Sequence, residues 1–253
     1  MKNKLKSYLK IGLEWLLQYE SIIAGKWASR AHRRLKWVQW NLPPQPEHFD
    51  HYIDLLYQWT KTRNSLWVER GVFGSLALKG MGETLELACG DGFNARNFYS
   101  LRSKNVIACD FDPKAIETAK RKNSASNVEF LLADIRNEMP VGKFDNIFWD
   151  AAIEHFTPNE IKKILNDIKS RLKENGVLSG YTNKENENTG KALSHHEYEF
   201  KSKEDLLNFL KPYFKNVTVF ETVFPTRHNL YFWAGDGVIP FANNWPNSVS
   251  TNK

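Results

Sequence analysis

The residues best equipped for chemistry in this 253-residue chain are carboxylates and glycines placed at or just beyond the ends of short apolar runs. Leu85 to Ala88 runs into Cys89-Gly90-Asp91-Gly92, the run Asn105 to Cys109 ends in Asp110, and Val128 to Leu132 ends in Ala133-Asp134-Ile135. If each run is a strand of one parallel sheet, all three polar features fall on its carboxyl edge, where open α/β sheets bind ligands. Gly90 and Gly92 lack a Cβ, so the turn can adopt unusual dihedrals and let a ligand approach the backbone. A helix expected from Phe93 to Tyr99 would aim its first N–H groups at an anion held there. Asp110 falls about 20 residues beyond the glycines, the place of a carboxylate that accepts ribose hydroxyl protons. Asp134, one strand further on, could meet the amino edge of an adenine.

The flanking elements have their own signals. Asp112-Pro113 reads as an N-cap with proline at the first helical position. Thr157-Pro158-Asn159-Glu160 is a capping box, and Ile161, Ile164, Leu165, Ile168 and Leu172 give its helix a buried face. Gly176 is expected to stop that helix before a strand from Val177 to Tyr181. A further helix should start at Ser202 and carry Leu206, Leu207 and Leu210, followed by β-rich runs Val217–Thr222 and Asn229–Ala234. Cys89 and Cys109, at neighbouring strand ends, read as small buried residues. Two cysteines without metal-type spacing predict no disulfide framework and no zinc site.

Glu86-x-x-x-Gly90-x-Gly92, Asp110, Asp134 and the segment Phe144-Asp145-Asn146-Ile147-Phe148-Trp149-Asp150-Ala151-Ala152-Ile153-Glu154-His155-Phe156 together resemble a class I S-adenosylmethionine-dependent methyltransferase over roughly Gly82 to Thr182, and the His-rich loop at His195-His196 with Arg227-x-Asn229 resembles bacterial enzymes of small-molecule or glycan type. The resemblance implies a Rossmann-like α/β fold with a seven-stranded, mostly parallel sheet whose last strand is antiparallel, plus an N-terminal helical extension. It implies S-adenosyl-L-methionine as cofactor. Glu86, Ala88 and the Gly90/Gly92 turn would hold the methionine end, Asp110 and Phe111 the ribose region, and Asp134 the adenine amino group. Ala133 and Ile135 would flank the base, and Asp150-Ala151 would sit under the sulfonium. A helix before the sheet often closes over the cofactor in this class, so Tyr57, Trp67 and Arg70 are lid candidates. Arg70 would pair with the methionine carboxylate or else stand exposed on its helix. Ala95 departs from a dinucleotide enzyme, which would usually have a third glycine there.

Methyl transfer to a hydroxyl needs a base, and His155, just beyond the fourth strand, is the first candidate catalytic residue. The long polar stretch from Tyr181 to Lys201 ends in His195-His196-Glu197-Tyr198-Glu199-Phe200 and emerges near the same edge, so His195, His196 and Glu197 are acceptor-binding candidates. Arg227 and Asn229 could join them. Adjacent histidines lack the one-face geometry of an i, i+4 metal pair, so His195 and His196 read first as solvated loop residues, with no metal expected. Base-modifying amino-methyltransferases resemble one another in an Asn/Asp-Pro-Pro-aromatic segment where this chain has Asp150-Ala151-Ala152-Ile153. Outside the N-terminus no basic stripe neutralises phosphates, so the expected acceptor is a small-molecule or sugar hydroxyl and not a nucleic acid. Two rivals stay open: an NAD-dependent oxidoreductase, and a non-catalytic cofactor-binding module recruited to a membrane or partner.

Charge separates the N-terminal segment from the rest. Residues 1–40 hold nine basic and two acidic residues, whereas residues 41–253 carry a net charge of −1. Leu5, Leu9, Leu13, Leu16 and Ile23 fall on one helical stripe, and six of the nine tryptophans precede residue 70. Such a stripe is usually core, packed on the catalytic domain, but a basic amphipathic helix with interfacial tryptophans also fits peripheral contact with an anionic membrane or docking to an acidic partner. Pro43-Pro44-Gln45-Pro46 marks a break. The expected organisation is a basic extension over 1–46, a helical lid over 47–80, the cofactor-binding domain over 81–236 and a tail over 237–253. No run approaches the ~20 apolar residues of a membrane span, and no secretory signal is evident, which places the expected protein in the cytoplasm. Nothing in the pattern specifies an oligomeric state.

Overall fold

The computed structural model describes residues 2–43, 50–62, 65–185, 190–191, 195–224, 227–239 and 248–250. The chain divides into two compact units, Met1–Ser65 and Leu66–Lys253. In the first, α1 (Lys2–Asn41) and α2 (His51–Thr62) meet where Lys36 pairs with the buried Asp54, which also accepts from Gln58 Nε2 at 2.6 Å. Leu5, Leu9, Leu13, Leu16 and Ile23, the stripe read as core, find no cover within this unit and are 43% to 64% exposed. Tyr8, Ile11, Trp15, Leu17, Tyr19 and Ile22 are equally open at positions off the stripe, so apolar side chains circle α1 and the expected one-sided pattern fails. Among the described residues no helix is long and apolar enough to cross a membrane. Residues 44–46 of the proline segment and the Tyr57 side chain lie outside the described residues.

The second unit opens with α3 (Leu66–Leu76) and then alternates strand and helix: β1 (Glu83–Leu87), β2 (Asn105–Asp110), α4 (Pro113–Lys122), β3 (Val128–Leu132), β4 (Phe144–Asp150), α5 (Pro158–Arg171), β5 (Leu172–Asn183), α6 (Lys203–Leu210), β6 (Asn216–Phe224) and β7 (Arg227–Gly235). The sheet order is β3-β2-β1-β4-β5-β7-β6, all parallel except β7, which is antiparallel to both neighbours. A short β8 (Ser248–Ser250) lies parallel to β6 at the edge, within the segment expected to be tail. The central strands are apolar on both faces because helices cover both. Leu85, Leu87, Ile147 and Trp149 pack with α5 and α6, whereas Val106, Ala108 and Phe148 pack with Tyr99 and with Ile116 and Ala119 of α4. Leu66 and Ala77, at the ends of the α3 region, join Val177, Phe220, Tyr231 and Trp233 in a third cluster over β5 to β7.

The expected caps form. Asp112 accepts from Lys114 N at 2.8 Å, and Thr157 and Glu160 bond each other's backbone reciprocally. Two local expectations change. The helix after the glycine turn widens over Ala95–Tyr99 into a π-turn, with Ser100 N bonded to Ala95 O at 2.9 Å. α5 ends at Arg171 and not at Gly176, which lies inside β5. There a Cβ would come within 2.8 Å of Leu172 Cδ2 and 3.0 Å of Phe144 O, so this glycine serves close approach at the register shift beside Phe144.

Candidate functional site

After β1 the chain winds outward to β2 and β3, then crosses back to β4 on the other side of β1, so the carboxyl ends of β1 and β4 are the switch point at which open α/β sheets bind ligands. The backbone there is strained. Ala88 (φ 53°) and Ala151 (φ 51°), just past the ends of these two strands, take left-handed conformations together with Gly90 (φ 55°) and Gly92 (φ 74°). Such a conformation costs a non-glycine residue on the order of 1–3 kcal/mol and clusters at functional sites. Gly92 is doubly required, since a Cβ would lie 2.5 Å from the Phe130 ring and 3.1 Å from Ala119 Cβ. Asp110 fastens the turn: Oδ2 accepts from Gly90 N at 2.8 Å and Oδ1 from Asp112 N at 2.9 Å.

Beneath the turn lies a buried polar cluster. Asp150 Oδ2 accepts from Arg70 Nε and from Asn94 Nδ2, each at 2.8 Å. Arg70 is neither exposed nor open for a ligand carboxylate alone: it is 6% exposed, paired with Asp150, and stacked 4.6 Å from the Trp67 ring centroid and 4.9 Å from that of Tyr181. Burial by itself would lower its pKa, but the charge and hydrogen bond of Asp150 outweigh that and raise it. Glu86 is also buried, and desolvation, followed by the neighbouring charge of Asp150, pushes its carboxyl well above the usual range. Its Oε2 and Asn94 Oδ1 are buried without hydrogen-bond partners. Orphan acceptors of this kind call for a donor, and a ligand ammonium is the donor that would also offset the carboxylate's charge. Asn94 has no sequence signal of its own, since its partner Asp150 lies 56 residues away.

Further along the edge the expected residues diverge. Asp134 forms a two-point pair with Arg136 (Nε–Oδ1 and Nη2–Oδ2, both 2.9 Å), whose hydrogen bond, ahead of other causes, lowers its pKa. Arg136 in turn lies 5.8 Å from the ring of the half-exposed Phe111. The Ile135 side chain packs into the core beside Leu87.

The histidines do converge. His155 sits in a single 3₁₀ turn, Ile153–His155, directly after β4. Glu154 O accepts from Glu197 N at 2.9 Å and Tyr198 N at 3.1 Å, which lashes the distant loop to this turn. His155 and His195 stack with centroids 5.1 Å apart, and His196 stands nearly perpendicular to His155 at 4.8 Å. The reading of His196 as solvated fails: it is 4% exposed and its Nδ1 bonds the buried Glu199 carboxylate. Burial holds its pKa down against the charge of Glu154 and the hydrogen bond of Glu199. Burial likewise raises Glu154, whose Oε2 accepts from Thr182 Oγ1 at 3.0 Å. Glu154 belongs to the Glu-His pair of the resemblance, whereas the role of Glu199 has no local signal that separates it from a surface glutamate. Asn229 is a structural residue, fully buried and bonded to Tyr181 OH and Thr222 Oγ1 at 3.1 and 3.0 Å. Arg227 is half-buried at the start of β7, and its charge opposes the burial that raises the Tyr181 hydroxyl.

Residues 84–176 match the family model of a methyltransferase domain. A 97-residue stretch is 28% identical to malonyl-[acyl-carrier protein] O-methyltransferase 1 of Ilyobacter polytropus, covering 38% of this chain and 35% of that protein. The match thus spans about a third of the relative's length. Among solved structures, the DhpI complex with S-adenosylhomocysteine superposes with a TM-score of 0.56 at 22% identity, over 74% of this chain and 89% of that one. Human N-acetylserotonin methyltransferase in complex with S-adenosylmethionine superposes with a TM-score of 0.54 at 16% identity, over 75% and 57%. Likeness at these identities establishes the fold.

Proposed function

We propose that this chain, whose residues 84–176 match the model of a methyltransferase domain, is a class I S-adenosylmethionine-dependent enzyme that binds its cofactor at the carboxyl ends of β1, β2 and β4 and methylates a small-molecule or sugar hydroxyl. The observation that carries the reading is the pair of orphan acceptors, Glu86 Oε2 and Asn94 Oδ1, beside a glycine turn with no room for a Cβ. Glu86 and Asn94 meet the methionine ammonium, the Gly90–Gly92 backbone its carboxylate side, and Asp110 the ribose hydroxyls. Ala88, Asp150 and Ala151 line the sulfonium region, with Trp67 and the Arg70–Asp150 pair as its wall. Phe111, Asp134 and Ile135 border the adenine. For Asp134 this requires sharing its carboxylate with Arg136.

When bound, S-adenosylmethionine supplies an electrophilic methyl group, so the acceptor's new O–C bond forms as the S–C bond breaks and S-adenosylhomocysteine departs. The chain's contribution is alignment, with reacting atoms held about 3–3.5 Å apart. His155 takes the hydroxyl proton, and His195, His196, Glu197 and Arg227 orient the acceptor. A cytoplasmic location fits the free, buried Cys89 and Cys109. The exposed apolar residues of α1 among nine basic charges in residues 1–40 favour peripheral contact with anionic lipid. Calorimetry with S-adenosylmethionine and with NAD tests the cofactor, and radiolabelled methyl transfer to a panel of hydroxylated acceptors tests the reaction. Binding of NAD alone, or His155→Ala turnover equal to wild type, overturns the corresponding part.

A further inference from the structure

The three histidines that meet beyond β4 come from two segments 40 residues apart and bring a donor nitrogen each to within 4.8 Å of one another. His195 and His196 are also ring neighbours, with centroids 5.5 Å apart and planes 85° apart. Three imidazoles around one point, with no thiolate among them, form a donor set suited to a divalent transition metal of the zinc type. We infer that His155, His195 and His196 bind one such ion, with the fourth position open to an oxygen of the acceptor.

The surroundings are those of a ligand set and not of a chance contact. Glu199 bonds His196 Nδ1, which leaves Nε2 to carry the lone pair, the carboxylate–histidine arrangement that orients metal ligands. The segment that carries His195 and His196 is fastened on both sides. Glu197 N and Tyr198 N donate to Glu154 O, and Lys191 Nζ donates to the carbonyls of His196 and Glu197 at 2.8 and 3.0 Å. Two buried acidic groups act on His196, Glu199 through its hydrogen bond and Glu154 through its charge, which favours a cation over an anion at the site. Ligand nitrogens on a tetrahedral ion, at about 2.0–2.1 Å from it, lie about 3.3 Å apart. His195 is exposed, so its ring can reorient towards an ion without disturbing the core. The site was missed in the sequence because His195 and His196 cannot share one helical face; the third ligand comes from the other segment.

Metal binding itself does not rest on the methyl-transfer reading, but the role given to the open position does. This ion replaces the base role proposed for His155: with its nitrogen on the ion, His155 is a ligand, and the polarised acceptor hydroxyl gives up its proton to solvent. The test uses the full chain, stripped with chelator and titrated with Zn²⁺ and with Co²⁺. The expected result is one ion per chain by elemental analysis and a tetrahedral Co²⁺ absorption band. His195→Ala, at an exposed position, and His155→Gln should each weaken Co²⁺ at least tenfold with unchanged circular dichroism, and Glu199→Gln should weaken it about 10–100-fold as a positioning residue. Absence of stoichiometric binding, or equal binding by the His195→Ala/His155→Gln double variant, overturns the inference. Binding of S-adenosylmethionine is measured on the stripped chain. Cofactor binding without metal binding sinks this inference alone, and metal binding without cofactor binding sinks the methyltransferase reading alone.

Discussion

Replacing Glu86 by glutamine should stabilise the empty protein and cripple cofactor binding at the same time. Glu86 is 2% exposed, and burial and then Asp150 raise its carboxyl well above the ordinary value of 4.5, with Asp91 adding to the rise and Arg70 opposing it. A folded-state pKa above the unfolded one means that folding takes up a proton between the two. Stability is therefore greatest below about pH 4.5 and declines as pH rises towards the folded value. The glutamine would carry no charge at any pH, so the Tm of Glu86→Gln should exceed that of the wild type at neutral pH, and the gap should close near pH 4. Binding behaves oppositely. A ligand ammonium needs the ionised carboxylate, so wild-type affinity rises with pH over the same window and binding releases a proton. A charge-assisted hydrogen bond is worth about 1.5–3 kcal/mol, hence a loss of roughly 10- to 150-fold in Kd for the variant. Calorimetry in buffers of different ionisation enthalpy reads both quantities. Unchanged Kd in the variant, or no proton release by the wild type, would refute the assignment of Glu86 to the ammonium.

Other perturbations follow from the same geometry. Gly92→Ala combines φ 74° with a Cβ 2.5 Å from Phe130 and should cost about 2–4 kcal/mol, visible as a Tm lowered by ~5–15 °C in thermal unfolding. Asp150→Ala leaves Arg70 buried and unpaired and should cost about 3–5 kcal/mol in urea unfolding; adding Arg70→Met should recover part of it, whereas a further loss would show that the pair is not what holds the cluster. His155→Gln should lower kcat far more than it raises the cofactor Kd, because His155 stands beyond the β4 end and outside the Glu86 cluster. In vesicle flotation, the full chain should bind anionic vesicles and a chain beginning at Gln45 should not; equal flotation of both rules out α1 as the contact.

Legibility of this chain in its sequence tracks how strictly each position demands a residue type. The strand-end features could be read because only glycine fits at Gly92 and only a carboxylate at Asp110 can take two backbone N–H groups at once. The caps at Asp112 and Thr157 are equally specific in chemistry. Failures occur where the main chain does the positioning. The loop that delivers His195 and His196 docks on the β4 end through backbone groups of Glu154, Glu197 and Tyr198, which any residues would supply, and the side chains that brace it from within, Lys191 and Glu199, carry no pattern that announces the docking. Asn94, which bonds Asp150, stands at the head of a π-turn, and such a turn has no reliable sequence signal. Residues 1–40 failed for a third reason. Leucines spaced as a stripe imply burial only if the other faces are polar, and Tyr8, Trp15, Tyr19 and Ile22 fill those faces. The same logic separates the two halves of the proposed reaction. In that proposal cofactor recognition would rest on type-restricted positions at the ends of β1, β2 and β4, and acceptor recognition on a loop whose docking on the β4 end uses backbone groups. The acceptor is therefore best sought through what His155, His195 and His196 bind together, for which their convergence, and not their spacing in the chain, is the informative quantity.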